Sequence, residues 1–269
     1  MRSTRAPALA ALLIASLTTP SAAQTNPAPP QPKNLQVLPQ DTPAQEVVAL
    51  MQQFNSALGV QCTFCHVQAP PQLLTPEETA AGVGRGRGQG PPPMDFAADT
   101  KPQKNAARAM LSMTRELNAR LPDRLGRPAA AVTQVECVTC HRGVSRPEQL
   151  SDLLAQTMLT KGDGAAVATY RELRQKYYGS QAYDFREGVL VTLARQSLAN
   201  SKPDDAVAWM QLNLEFYPKS SASYTVLAQA RVAKRDDSGA VKDLEKALEL
   251  DSQNGEAKRQ LDKLRPHAR

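Results

Sequence analysis

Aromatic side chains are scarce in this chain: five Phe, six Tyr and one Trp make up 4% of its 269 residues. That length suits two small domains, and a core of ordinary size would be short of large side chains. Histidine is rarer still, with three residues, which excludes a site built on many imidazoles. There are four cysteines, and all four fall inside two short motifs, so none is left for a disulfide framework. Long apolar runs are missing too. The best candidate, Ala8 to Leu17, is too short to span a bilayer. It follows Arg2 and Arg5 and precedes the small-residue stretch Ser21-Ala22-Ala23, the pattern of a cleavable secretory signal. The mature chain is therefore expected to start at Gln24. No cysteine stands at the cleavage point, so no lipid anchor is expected, and the protein is expected in the periplasm with no membrane span.

What is present is a pair of motifs, Cys62-Thr63-Phe64-Cys65-His66 and Cys137-Val138-Thr139-Cys140-His141. Each reads C-x-x-C-H, the attachment pattern of a c-type haem. The expected cofactors are two covalently bound haem c groups. Cys62 and Cys65 form thioethers to the first, Cys137 and Cys140 to the second, and His66 and His141 lie over the irons as proximal ligands. Two other readings fit paired cysteines. Four thiolates can hold a structural zinc, and a CxxC can be a redox dithiol. Neither needs a His directly after the second Cys, and the dithiol needs a βαβ context that is not seen here. Two porphyrins also supply the apolar bulk the chain lacks. They bear on charge as well: the formal +6 becomes +4 once Arg2 and Arg5 are removed, and four propionates bring the surface near neutrality. Nucleic acid is therefore not an expected partner. Arg142 and Arg146 follow the second motif closely enough to pair with propionates.

The motifs sit in an internal repeat. Gln24 to Leu38 is rich in Pro, Asn and Gln and reads as a tether with little regular structure. A helix follows, with Thr42 as N-cap, Pro43 at the first position and Gln45 completing a capping box. Its apolar face is Val47, Met51, Phe54 and Leu58, and Gly59 ends it. Residues 67–100 form a long connection with a glycine-rich middle, Gly82 to Pro93, read as a mobile surface loop. A second helix is expected from Pro102 to Leu121, with Ala106, Met110, Met113 and Leu117 on its apolar face. A shift of 59 residues lays the first face on the second. Each unit is thus a helix followed by a haem motif.

A haem iron with a proximal His commonly takes Met or His on its other side. His267, the remaining histidine, lies in a Pro-flanked basic tail and is a poor candidate. Met51 precedes Cys62 by 11 residues and is the candidate for the first iron. Met110 is its equivalent for the second. Met113, one turn away, is the alternate, and it corresponds to Phe54, which cannot ligate iron. A methionine on an apolar helix face otherwise serves as core filler.

The stretch Met51-Gln52-Gln53-Phe54-Asn55-Ser56-Ala57-Leu58-Gly59-Val60-Gln61 leading into the first motif resembles a haem segment of the cytochrome c subunit of photosynthetic reaction centres. So does Ala107 to Asn118, followed by the second motif with Arg142-Gly143. The resemblance covers Lys33 to Pro147. It implies helix-then-haem units with axial Met51 and Met110, and transfer of single electrons. That family carries four haems, uses a distal His at one of them and is often lipid-anchored. This chain has two motifs and no His or anchor Cys to match.

From Pro147 the text turns Ala-, Leu- and Lys-rich with a period near 34, pairing Ala194 with Ala228, Ala206 with Ala240 and Leu214 with Leu248. Pro218 stands where tetratricopeptide repeats close. The expected units are 187–220 and 221–254, with a degenerate unit over Pro147 to Ser180 and a capping helix from Gly255 to Arg265. The expected fold is therefore all-α: a signal peptide over 1–23, a linker over 24–40, a dihaem c-type domain over 41–146 and a tetratricopeptide-like α-solenoid over 147–269. The expected function is electron transfer rather than enzymatic, between a redox protein donor and acceptor, with a protein partner docking on the repeats. The alternatives are a haem enzyme with one open iron and a scaffold whose haems are structural.

Overall fold

The computed structural model describes residues 31–69 and 94–265; the signal sequence, the glycine-rich loop and His267 lie outside the described residues. Within them the chain is all-α, with ten helices and one two-stranded ribbon.

Helix α1 (Ala44–Leu58) ends at Gly59 in the left-handed conformation, φ 65°. Its start differs from expectation. Pro43 is the N-cap residue and no side chain caps the helix, while the Thr42 hydroxyl donates to the Pro39 carbonyl at 2.7 Å. Short strands β1 (Val67–Gln68) and β2 (Met94–Asp95) then pair antiparallel, Val67 opposite Asp95. The long connection over 67–100 thus begins and ends near a strand pair, and its glycine-rich middle lies outside the described residues. Helix α2 runs Pro102–Leu125, longer than expected, through Pro122 to Gly126 at φ 60°. Proline costs a helix one N–H. Here the carbonyl that loses its partner is that of Asn118, four residues back.

Residues 31–38 hold no helix or strand, yet they are stitched to α2. Arg108 and Arg115 donate to the carbonyls of Asn34 and Val37, at 3.2 and 2.6 Å. Asp99 sits at the centre, with Lys104 at 2.8 Å, Arg108 at 2.9 Å and the Asn34 amide at 2.9 Å. The hydrogen bonds from Arg108, Lys104 and Asn34, in that order, hold the Asp99 carboxyl well below the usual carboxylate range. A depressed folded-state value stabilises the fold above the unfolded value of about 4, and that contribution is lost as pH falls below it. The urea midpoint of the native protein is expected to fall as pH drops through about 4, and Asp99→Asn to flatten that dependence. An unchanged slope in the variant would remove Asp99 from the account.

A short helix α3 (Cys137–His141) carries the second motif. Beyond it come α4 (Leu150–Lys161), α5 (Asp163–Tyr177), α6 (Glu187–Ala199), α7 (Pro203–Phe216), α8 (Ser221–Ala233), α9 (Asp237–Leu250) and α10 (Gly255–Leu264). Helices α6, α8 and α10 begin 34 residues apart, as do α7 and α9. Each hairpin packs on the next, α6 with α7 and α8, α9 with α8 and α10. Alanines at equivalent places, Ala194 with Ala228 and Ala206 with Ala240, are fully buried and let the helices approach. Trp209 is buried as packing. Nearly all the well-packed core lies between Leu150 and Leu261.

Candidate haem-attachment sites

In the first motif Cys62–Phe64 is a 3-10 turn, and the N–H groups of Cys65 and His66 both donate to the Cys62 carbonyl, at 3.3 and 3.0 Å. In the second, α3 opens with a capping box between Glu136 and Thr139. Side chains three and four residues apart share one side of a helical turn. Both motifs therefore aim two thiols and one imidazole the same way. The four thiols are free and are not gathered into one place; among the described residues no group of three or more His, Cys, Asp and Glu could hold a metal ion. Burial pushes the Cys65 and Cys137 thiols up.

The two imidazoles differ. After His141 the chain turns sharply, with Arg142 at φ 50° and Gly143 at φ 90°. The turn brings the Val144 carbonyl to 2.9 Å from His141 Nδ1. A carbonyl only accepts, so Nδ1 carries the proton and Nε2 keeps its lone pair for iron. His66 is 8% exposed and meets the Phe96 ring edge-on at 5.1 Å. Its Nδ1 is buried with no hydrogen-bond partner among the described residues. Burial, then Lys104, Arg108 and Lys101, push its pKa down, with Asp95 opposing. The ring therefore stays neutral, the form that ligates a metal.

The protein around the motifs is unusually bare. Helix α2 has 24 residues and buries none of them. Met110, Met113 and Leu117, on one face of α2, are 47%, 53% and 43% exposed, and Phe64 and Val138, inside the two motifs, are exposed as well. Exposed large apolar side chains along one helix face mark a binding site. The thiols, the imidazoles and these exposed apolar side chains together fit a covalently held porphyrin at each motif. Met51 lies on α1, partly buried, and Met110 and Met113 lie on α2.

Two contacts join these pieces, and neither was recognised in the sequence. The Gly143 N–H donates to the Ala57 carbonyl at 2.8 Å, and the Gly143 carbonyl oxygen would lie 2.1 Å from a Cβ at Gly59. The end of α1 and the loop after His141 are thus in backbone contact. Asn118 grips Val135 from both sides, its amide donating to the Val135 carbonyl at 2.9 Å and its oxygen accepting the Val135 N–H at 2.8 Å. Val135 stands two residues before Cys137, as Val60 stands two before Cys62. Val60 is held by its own helix, through the Asn55 carbonyl at 3.1 Å. In unit two the helix runs on, so a side chain must make the hold. The 59-residue shift already lays Gly59 on Asn118, a usable signal. Asn118→Ala is expected to cost about 2 kcal/mol from two lost bonds of about 1 kcal/mol each. It should also perturb the spectrum of the second haem alone. Asn118→Asp, which keeps only the acceptor, should fall between.

Beside Cys140 a cleft of about 450 Å3 runs between Arg142, Gln149 and Tyr183. It shares Ser151, Asp184 and Val189 with a second cleft of about 510 Å3 reaching Thr192 on α6. The second motif thus opens towards the repeats.

A family model, that of the photosynthetic reaction centre cytochrome C subunit, matches residues 86–185. The match contains the second motif and continues past Pro147 through α4 and α5. The chain is 32% identical over 127 residues to cytochrome c-554 of Chloroflexus aurantiacus, covering 47% of this chain and 24% of that protein. It is 31% identical over 113 residues to the photosynthetic reaction center cytochrome c subunit of Rubrivivax gelatinosus, covering 39% and 24%. The chain thus spans about a quarter of the length of these relatives. It resembles this family over residues 86–185, which straddle the middle of the chain. Among solved structures, the first TPR domain of human RPAP3 covers 44% of the chain at 20% identity and a TM-score of 0.31. At that score the repeat assignment rests on the 34-residue spacing and hairpin packing described above. Among the described residues no helix is long and apolar enough to cross a membrane.

Proposed function

We propose that the protein is an exported periplasmic carrier of single electrons holding two c-type haems, with His66 and Met51 as axial ligands at the first and His141 and Met110 at the second. The observation that carries this reading is the bare apolar flank of α2 beside a correctly turned CxxCH. A haem iron, when bound, supplies a reversible one-electron couple. The chain's own residues do the rest. Cys62, Cys65, Cys137 and Cys140 hold the porphyrins, and Val144 fixes the orientation of His141. Phe96 shields His66 from water. Met51 and Met110 would supply the second ligand to each iron, which would leave no position for a substrate. The repeats dock a protein partner, and the cleft beside Cys140 brings that partner close to the second haem.

Carbon monoxide added to the reduced protein tests the closed irons. No spectral response is expected. A response from either haem would mean an open iron and would replace the carrier with a ligand-binding enzyme.

A further inference from the structure

We infer that the two haems are unequal and that electrons run inward from the haem at His141 to the haem at His66, an inference that rests on the two-haem reading above. Three observations point the same way. The first is the hydrogen bond from His141 Nδ1 to the Val144 carbonyl at 2.9 Å. Such a bond makes the imidazole a stronger donor, favours ferric iron and lowers the potential. The Nδ1 of His66 has no such partner among the described residues.

The second is burial. His66 is 8% exposed and covered by Phe96, whereas His141 is partly exposed. Burial penalises the ferric state, which carries one more positive charge than the ferrous, and so raises the potential at His66.

The third is charge. Lys101, Lys104 and Arg108 surround the first motif, and Lys101 reaches into it to donate to the Thr63 carbonyl. Asp99 pairs with Lys104 and Arg108 but not with Lys101, and Asp95 is the other acid near His66. The remaining positive field also favours the ferrous state. At the second motif the residue after His141 is Arg142, exposed and turned towards the Gln181 carbonyl at 3.4 Å.

The transfer balances with one electron and no bond made or broken. Cys137, Cys140 and His141 would hold the group that takes one electron from a reduced donor protein, and Cys62, Cys65 and His66 would hold the group that receives it next. A donor seated in the repeat-side cleft beside Cys140 would meet the lower-potential site first.

A redox titration of the full chain with both haems attached tests this. Two one-electron waves are expected. Lys101→Glu should lower the upper wave and leave the lower in place, and Arg142→Glu should do the reverse. If Lys101→Glu fails to hold its haem, Lys101→Gln makes the same test with a smaller fall. Coincident waves, or the variants acting on the opposite waves, would overturn the inference while leaving the carrier intact. Loss of the two-haem reading itself would show earlier, as a single haem in the mass or a high-spin spectrum, and would take this inference down with it.

Discussion

Replacing Gly59 with alanine is expected to destabilise the haem half by about 2–5 kcal/mol and to disturb both haems at once. Two costs add. Gly59 has φ 65°, where an L side chain is strained by about 1–2 kcal/mol. The new methyl group would also sit 2.1 Å from the Gly143 carbonyl oxygen and 2.9 Å from its carbon. Neither is the end of a flexible side chain, so backbone must move, at about 1–3 kcal/mol. Gly143 lies two residues after His141 and Gly59 three before Cys62, so the displaced backbone belongs to both motifs. Against a typical domain stability of about 5–15 kcal/mol this is a large fraction. Urea unfolding of the holoprotein reads the loss, and the visible spectrum reads the two sites. A variant of native stability would mean that α1 and the loop after His141 do not touch.

Met110→Ala is expected to open the second iron. The reduced variant should bind one equivalent of carbon monoxide, lose the Met–iron absorption of one haem and show a lower potential at that haem. Met113→Ala should do none of these. Both methionines are exposed on the same face of α2, so exposure does not separate them. The register does. The 59-residue shift lays Met51 on Met110 and Phe54 on Met113, and Phe54 cannot ligate iron. If Met113→Ala opens the iron instead, the two units do not share a register.

The haem motifs, both methionine helices and the 34-residue period were legible because each is a local pattern, carried by residues three to five apart or by a fixed spacing. What escaped depends on distant backbone. Thr42 followed by Gln45 is a sound capping box in sequence, but the Pro39 carbonyl lies within reach of the same hydroxyl. Pro122 looked like a stop, and α2 passes through it beside Asn118. The run Gln24 to Leu38 read as a tether because it is rich in Pro, Asn and Gln. Its later residues take their order from Arg108, Arg115 and Asp99, more than 60 positions away. The contacts that Asn118 and Gly143 make with Val135 and Ala57 carry no local signature. Their importance appears only when the repeat shift and the fold are laid side by side.

The most direct test of the central claim is the intact mass of the exported protein under denaturing conditions, where only covalent cofactors remain. The account predicts the chain beginning at Gln24 plus two haems, with one lost in a variant whose Cys137 and Cys140 are both alanine. A mass with one haem, or none, from cells able to attach them would contradict it and return the unmodified cysteines to some other chemistry.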